Sequence, residues 1–166
     1  MQAELINRRL VKFVWAALIF FAWSVIQGAI QVQDPVRTLL EQGPGGMIGG
    51  AHTHIGFMGW ISLALMAVFY YVVPRITSKP IVWPKLIEWI FWIFVVCSAT
   101  ASALMITGGV VGGSAFAAGV KGAQLDSLIL PYAMSAGLLC TIAAIASLMF
   151  VVQIMVSLTR SSKASS

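Results

Sequence analysis

The stretch Gly49-Gly50-Ala51-His52-Thr53-His54-Ile55-Gly56-Phe57-Met58-Gly59-Trp60 opens an apolar run that reaches Val73 and holds both histidines of the chain. From Met47 to Val73 there is no Asp, Glu, Lys or Arg. A helix needs about 20 apolar residues to cross the hydrocarbon core of a bilayer. Three further runs of spanning length flank this one, from Phe13 to Val32, Leu86 to Gly108 and Leu128 to Leu158. In lipid, every backbone polar group must be paired within the segment, so these runs form helices. The sequence therefore predicts an all-α membrane protein, a single four-transmembrane-helix bundle over residues 1–166 with spans at 13–32, 47–73, 86–108 and 128–158.

Composition points the same way. Of 166 residues, 60% are hydrophobic and 9% charged, and the mean hydropathy is +0.95, which leaves too few polar side chains to clothe a water-soluble domain. The net charge of +5 would suggest acidic partners or nucleic acid in a soluble protein. Here its distribution decides, and nucleic acid is not expected. Arg8, Arg9, Lys12, Arg75, Lys79, Lys85, Arg160 and Lys163 fall in the termini and the middle loop, and only Arg37 and Lys121 fall in the other two loops. The positive-inside rule then places both termini and the Pro74 to Lys85 loop on the cytoplasmic side. The first run is too long for a secretory leader and lacks a small-residue cleavage site, so it reads as retained. Cys97 and Cys140 lie within spans and read as packing residues.

Along the chain, Arg8, Arg9 and Lys12 reach anionic headgroups and anchor the first helix. Ser24, Gln27 and Gln31 follow one face of it, where buried amides bond a neighbouring helix. Asp34-Pro35 reads as the start of a short surface helix ended by Gly43-Pro44-Gly45-Gly46. Trp83, Trp89 and Trp92 join Tyr70 and Tyr71 in an aromatic belt, and Glu88 pairs with Lys85 or Arg75. Gly108 to Ser127, with six glycines, reads as an outer loop.

The two histidines cannot serve one metal from one regular helix. Residues two apart point about 200° away from each other. On the His52 side follow Gly56, Gly59 and Leu63, a bare groove that would admit a flat macrocycle; on the His54 side stand Met58, Ile61 and Leu65. This favours His52 as an axial iron ligand and leaves His54 as a second candidate. Met105, at a similar depth, is a possible thioether partner. Gly-x-x-Gly is also an ordinary packing device between membrane helices, and a histidine near an interface often bonds a carbonyl.

Ala51-His52-Thr53-His54, Gly59-Trp60 and Tyr70-Tyr71-Val72-Val73-Pro74 resemble the second transmembrane helix of the haem-copper oxidase catalytic subunit, in its nitric oxide reductase and C-type oxidase branch. More closely, the chain resembles the short four-helix proteins described as subunit-I-like. The resemblance implies that His52 matches an axial ligand of the low-spin haem. It also implies residence in the cell's inner (cytoplasmic) membrane. No histidine follows His54, so the binuclear centre of an oxidase or reductase cannot be built from this chain alone. At most it is a subunit of an oxidoreductase. The absence of Cys-x-x-Cys-His excludes a covalent haem.

The expectation is a membrane cytochrome b-like protein, holding non-covalent haem b near its outer face for electron transfer or gas binding. It would work as a homo-oligomer or within a larger respiratory complex. The alternative is a cofactor-free structural or assembly subunit of such a complex. Copper held between copies by His54 and methionines is a third arrangement.

Overall fold

The computed structural model describes the backbone of residues 2–159 and the side chains of residues 9–159; the Arg160 and Lys163 charges and the Arg8 side chain lie outside the described residues. The elements are α1 (Gln2–Gln31), α2 (Val36–Leu40), α3 (Gly46–His54), a π-helical stretch (Ile55–Ser62), α4 (Leu63–Thr77), α5 (Leu86–Ala117) and α6 (Ala123–Thr159). The α3, π and α4 segments run on without a break as the second span. Four helical segments are long and apolar enough to cross a membrane: Arg9–Gln31, Gly43–Thr77, Leu86–Ala117 and Ala123–Thr159. The fold class is thus all-α, with four candidate membrane spans.

The helices outrun the expected spans, most of all at Gly108 to Ser127. That segment is not a loop: α5 continues to Ala117 and α6 begins at Ala123. Gly108, Gly109, Gly112 and Gly113 are buried within α5, and each is pressed by a neighbour, Gly108 by Tyr132, Gly109 by Ile48, Gly112 by Ile129 and Pro44, Gly113 by Leu39. Glycine weakens an isolated helix by about 1 kcal/mol relative to Ala. Here it acts as the small residue that lets helix backbones approach in a membrane.

α5 is the central helix, packing on α1, α2, α3, the π stretch and α6, whereas α6 rests mainly on α5 with a smaller seam on α4. The two halves of the bundle are built differently. Towards the chain termini, large side chains fill the core: Phe13 lies edge-on to Tyr70 with centroids 5.8 Å apart and tilted against Phe91 at 4.8 Å. Towards the histidines, the contacts are made by glycines, Ala51, Ala101 and Ser102. We refer to these as the basic end and the histidine end.

At the basic end two expectations are corrected. Tyr70 is not part of the aromatic belt: it is fully buried and donates a hydrogen bond to Gln153 Oε1 at 2.8 Å. Glu88 pairs with neither Lys85 nor Arg75, but with Arg9 and Lys12 of α1, so the ion pair joins two spans instead of closing a loop. Tyr71, Trp83, Trp89 and Trp92 are exposed as expected of interfacial aromatics. Both cysteines are free thiols.

At the histidine end α2 is a single helical turn, and Asp34 accepts a hydrogen bond from Thr38 Oγ1 at 2.9 Å instead of capping the backbone.

Candidate functional site

The candidate site lies where α3 passes into the π stretch. The two histidines close α3, and from Ile55 the helix widens. Ser62 Oγ donates to Phe57 O, five residues back, at 2.9 Å, the spacing of a π turn. Widening occurs where Gly56 and Gly59 leave the surface bare and α1 leans in. π turns in otherwise regular helices cluster at functional sites.

The bare face is occupied by α1. A Cβ placed on Gly59 would lie 2.2 Å from Phe20 Cδ1, and one on Gly56 would lie 3.4 Å from Ser24 Oγ. One turn further, the His52 ring lies over Gly28, with Cε1 3.0 Å and Nε2 3.5 Å from the position of a Cβ there. These three rungs, 52 on 28, 56 on 24 and 59 on 20, form one antiparallel seam. The groove read from the sequence is real, and what fills it is Phe20 and Ser24. His52 Nδ1 is buried and has no hydrogen-bond partner among the described residues.

His54 is arranged differently. Its ring is half-buried, and Nδ1 stands 2.9 Å from Gly50 O. A carbonyl only accepts, so Nδ1 must carry the proton, and in the neutral ring Nε2 keeps its lone pair. Nε2 makes no hydrogen bond among the described residues. Histidines that bind metal commonly have their second nitrogen anchored in this way.

Met105 joins the His54 side. A Cβ on Gly50 would lie 2.8 Å from Met105 Cε, so the thioether packs on the residue one turn before His54. Gly50 and His52 lie about 200° apart on α3. The structure therefore brings Met105 towards His54 and separates it from His52.

The amides of α1 bond the second span as expected. Gln27 Nε2 and Gln31 Nε2 both donate to Ile48 O, at 3.1 and 3.0 Å. Gln27 Oε1 is left buried and unpaired. Beside it a cavity of about 300 Å³, lined by Trp23, Gln27, Gln31, Leu39, Ile48 and Val110, lies beneath α2.

One buried amide of α6 was missed by the sequence reasoning. Gln153 is fully buried and satisfied: Oε1 accepts from Tyr70, and Nε2 donates to Val82 O at 2.7 Å and Trp83 O at 3.0 Å. Ser157 Oγ donates to Gln153 O and accepts from Val82 N at 3.1 Å. The signal was available, since an amide amid apolar residues in a span must find partners. Its work is structural, clamping the loop before α5 to α6.

A haem was expected between the second span and the bundle. At His52 it would have to displace Phe20 and Ser24 from the glycines, so that face does not fit a macrocycle. At His54 the anchored imidazole fits an axial ligand and requires nothing to leave the seam. Among the described residues no three His, Cys, Asp or Glu side chains gather to hold a metal ion by themselves. No family model matches the chain, and no curated protein matches it significantly.

Proposed function

We propose that this chain is a membrane cytochrome b-like protein in which His54 is the axial ligand of a non-covalently held haem b at the histidine end. The observation that carries this reading is the 2.9 Å contact of His54 Nδ1 with Gly50 O, which sets the tautomer and leaves Nε2 to donate. The resemblance of Ala51 to Pro74 to a haem-ligating helix supports it, with one change: the resemblance assigns the ligand to His52, and the packing of His52 on Gly28 shifts it to His54.

When bound, haem would supply a one-electron couple or an open iron position for a diatomic gas. The chain's own part is to orient the imidazole through Gly50, to hold Met105 against the same flank and to keep α1 seated on Gly56 and Gly59. His54 is half-buried on the bundle's flank, so a second copy of the chain or a partner subunit covers the haem and completes the coordination. Both termini face the cytoplasm and the protein resides in the cytoplasmic membrane, a reading supported by the clustering of lysine and arginine at the basic end.

The test is an absorption spectrum of protein purified in detergent from cells supplied with haem. An intense Soret band that is lost in His54→Ala and kept in His52→Ala supports the assignment. The reverse pattern moves the ligand to His52 and requires α1 to leave its seam. A colourless preparation ends the haem reading in favour of a cofactor-free structural or assembly subunit. That second reading has its own support, because α1 fills the groove. In addition, α6 exposes Ala133, Gly137 and Thr141 at four-residue spacing, with nothing within 4 Å of a Cβ on Gly137. Such a small-residue ridge is how membrane helices dock on one another.

A further inference from the structure

At the basic end a cavity of about 520 Å³ opens beside α5, lined by Arg9, Lys85, Glu88, Trp89 and Trp92. Its size falls within the roughly 300–1,000 Å³ of small-molecule sites. Its charge is unbalanced. Glu88 carries the one carboxylate, and both its oxygens are taken, Oε1 by Arg9 Nε at 3.5 Å and Oε2 by Lys12 Nζ. Arg9 is held further by donating through Nη1 to Pro84 O. Lys12 is fixed over the Phe91 ring, 4.5 Å from its centroid. The Lys85 ammonium at the rim is exposed and makes no ion pair or side-chain hydrogen bond among the described residues. The lining thus carries two cations, Arg9 and Lys85, against one carboxylate, with Lys12 held behind Glu88, which leaves a surplus of one positive charge in the cavity wall.

The walls identify the occupant. Trp89 and Trp92 are 67% and 57% exposed, and Val96, one turn deeper along α5, is 54% exposed. Indoles favour the headgroup level of a bilayer, and Val96 continues the apolar surface towards its interior. A soluble anion would use the cations and leave this apolar track bare. A lipid uses both.

We propose that this cavity is a binding site for an anionic phospholipid, its phosphodiester held by Arg9 and Lys85 and its acyl chains lying along Trp89, Trp92 and Val96. One phosphodiester matches the surplus of one charge. Basic pockets between spans are a recurring way of holding such headgroups. The site is independent of whether the chain binds haem.

Lys85 and the carboxylate make predictions of opposite sign. Lys85→Gln removes a cation that pairs with nothing else, so it leaves the packing of the helices untouched. Glu88→Gln removes the carboxylate that competes with the headgroup for Arg9 and Lys12. The experiment uses the full chain in phosphatidylcholine nanodiscs containing increasing brominated phosphatidylglycerol, or brominated phosphatidylcholine in equal amount, with tryptophan quenching as the readout. A Trp89→Phe, Trp92→Phe variant identifies the quenched signal.

Phosphatidylglycerol should quench at a lower lipid content than phosphatidylcholine. Lys85→Gln should weaken binding about fivefold, and Glu88→Gln should tighten it about fivefold, in line with the usual worth of one basic residue near an anionic surface. Equal quenching by brominated phosphatidylcholine would overturn the site altogether, as would competition by millimolar inorganic phosphate, which would mark a free-anion site. Glu88→Gln and Lys85→Gln moving affinity in the same direction would also overturn it, because the charge balance would then not govern binding.

Discussion

Replacing Gln153 with Leu keeps the volume of the side chain and removes three hydrogen bonds at once, so the cost can be worked from what is left behind. Trp83 O keeps a partner, since it also accepts from Leu86 N at 2.8 Å. Tyr70 OH and Val82 O lose the only side-chain partner each has here. An orphaned buried polar group costs about 1–3 kcal/mol, and hydrogen bonds in membrane proteins fall towards the lower part of that range, so Gln153→Leu should destabilise the bundle by about 3 kcal/mol. Tyr70→Phe alone strands Gln153 Oε1 and should cost about 1–2 kcal/mol. In the Gln153→Leu background the same change removes an orphan instead of creating one, so there it should be neutral or stabilising. The assay is reversible unfolding in mixed dodecylmaltoside and dodecylsulfate micelles, followed by far-ultraviolet circular dichroism, for the wild type, both single variants and the double. A Tyr70→Phe cost that is the same in both backgrounds would refute the reasoning, because the cycle isolates the pair.

Three glycine-to-alanine changes should separate by sign. At Gly59 the new Cβ would sit 2.2 Å from the buried Phe20 ring, so overpacking of about 1–3 kcal/mol should exceed the helix gain of about 1 kcal/mol. At Gly109 it would meet Ile48 Cγ1 at 2.6 Å and the Ile48 backbone N at 3.0 Å, so the helices themselves must part and the loss should be at least as large. At Gly137 nothing lies within 4 Å, and the same change should stabilise the monomer by up to about 1 kcal/mol. Unfolding of the three variants under one condition checks the order, and equal effects at Gly59 and Gly137 would refute the seam. Amide hydrogen exchange should show stronger protection at Ile87 to Phe94 than at Ile48 to Gly56, measured by mass spectrometry on detergent-solubilised protein. The reverse order would contradict the uneven packing of the two ends.

The number and helical nature of the spans were legible because each apolar run exceeds the bilayer thickness and lipid permits little else. Their ends were not. Glycine is read as a breaker in water, yet Gly108 to Gly113 sit inside α5 because Tyr132, Ile48, Ile129, Pro44 and Leu39 occupy the space their missing side chains leave. The face of His52, Gly56 and Gly59 was correctly recognised as bare. Its occupant was not legible, since Phe20 and Ser24 reach it only through the antiparallel docking of α1. The same holds for Glu88, whose partners Arg9 and Lys12 are 76 to 79 residues away and meet it only when α1 and α5 align. Tyr70 and Gln153, 83 residues apart, pair for the same reason.

The distribution of satisfied and unsatisfied groups bears on where a cofactor can be accommodated. Near the basic end the buried amide Gln153 is hydrogen-bonded through both Oε1 and Nε2 and large rings interlock, so opening that half breaks several strong contacts together. Among the described residues, the side-chain atoms left buried without partners are Gln27 Oε1, His52 Nδ1, Ser98 Oγ and Ser102 Oγ. None of these belongs to the Gln153 cluster, and Gln27 and His52 lie at the histidine end. An unpaired buried atom raises the free energy of the closed state and so lowers the cost of local opening. The cavity beneath α2 and the half-buried ring of His54 adjoin this same region. Rearrangement on binding is therefore cheapest around α3 and the π stretch, while the network at the opposite end holds the four helices in register.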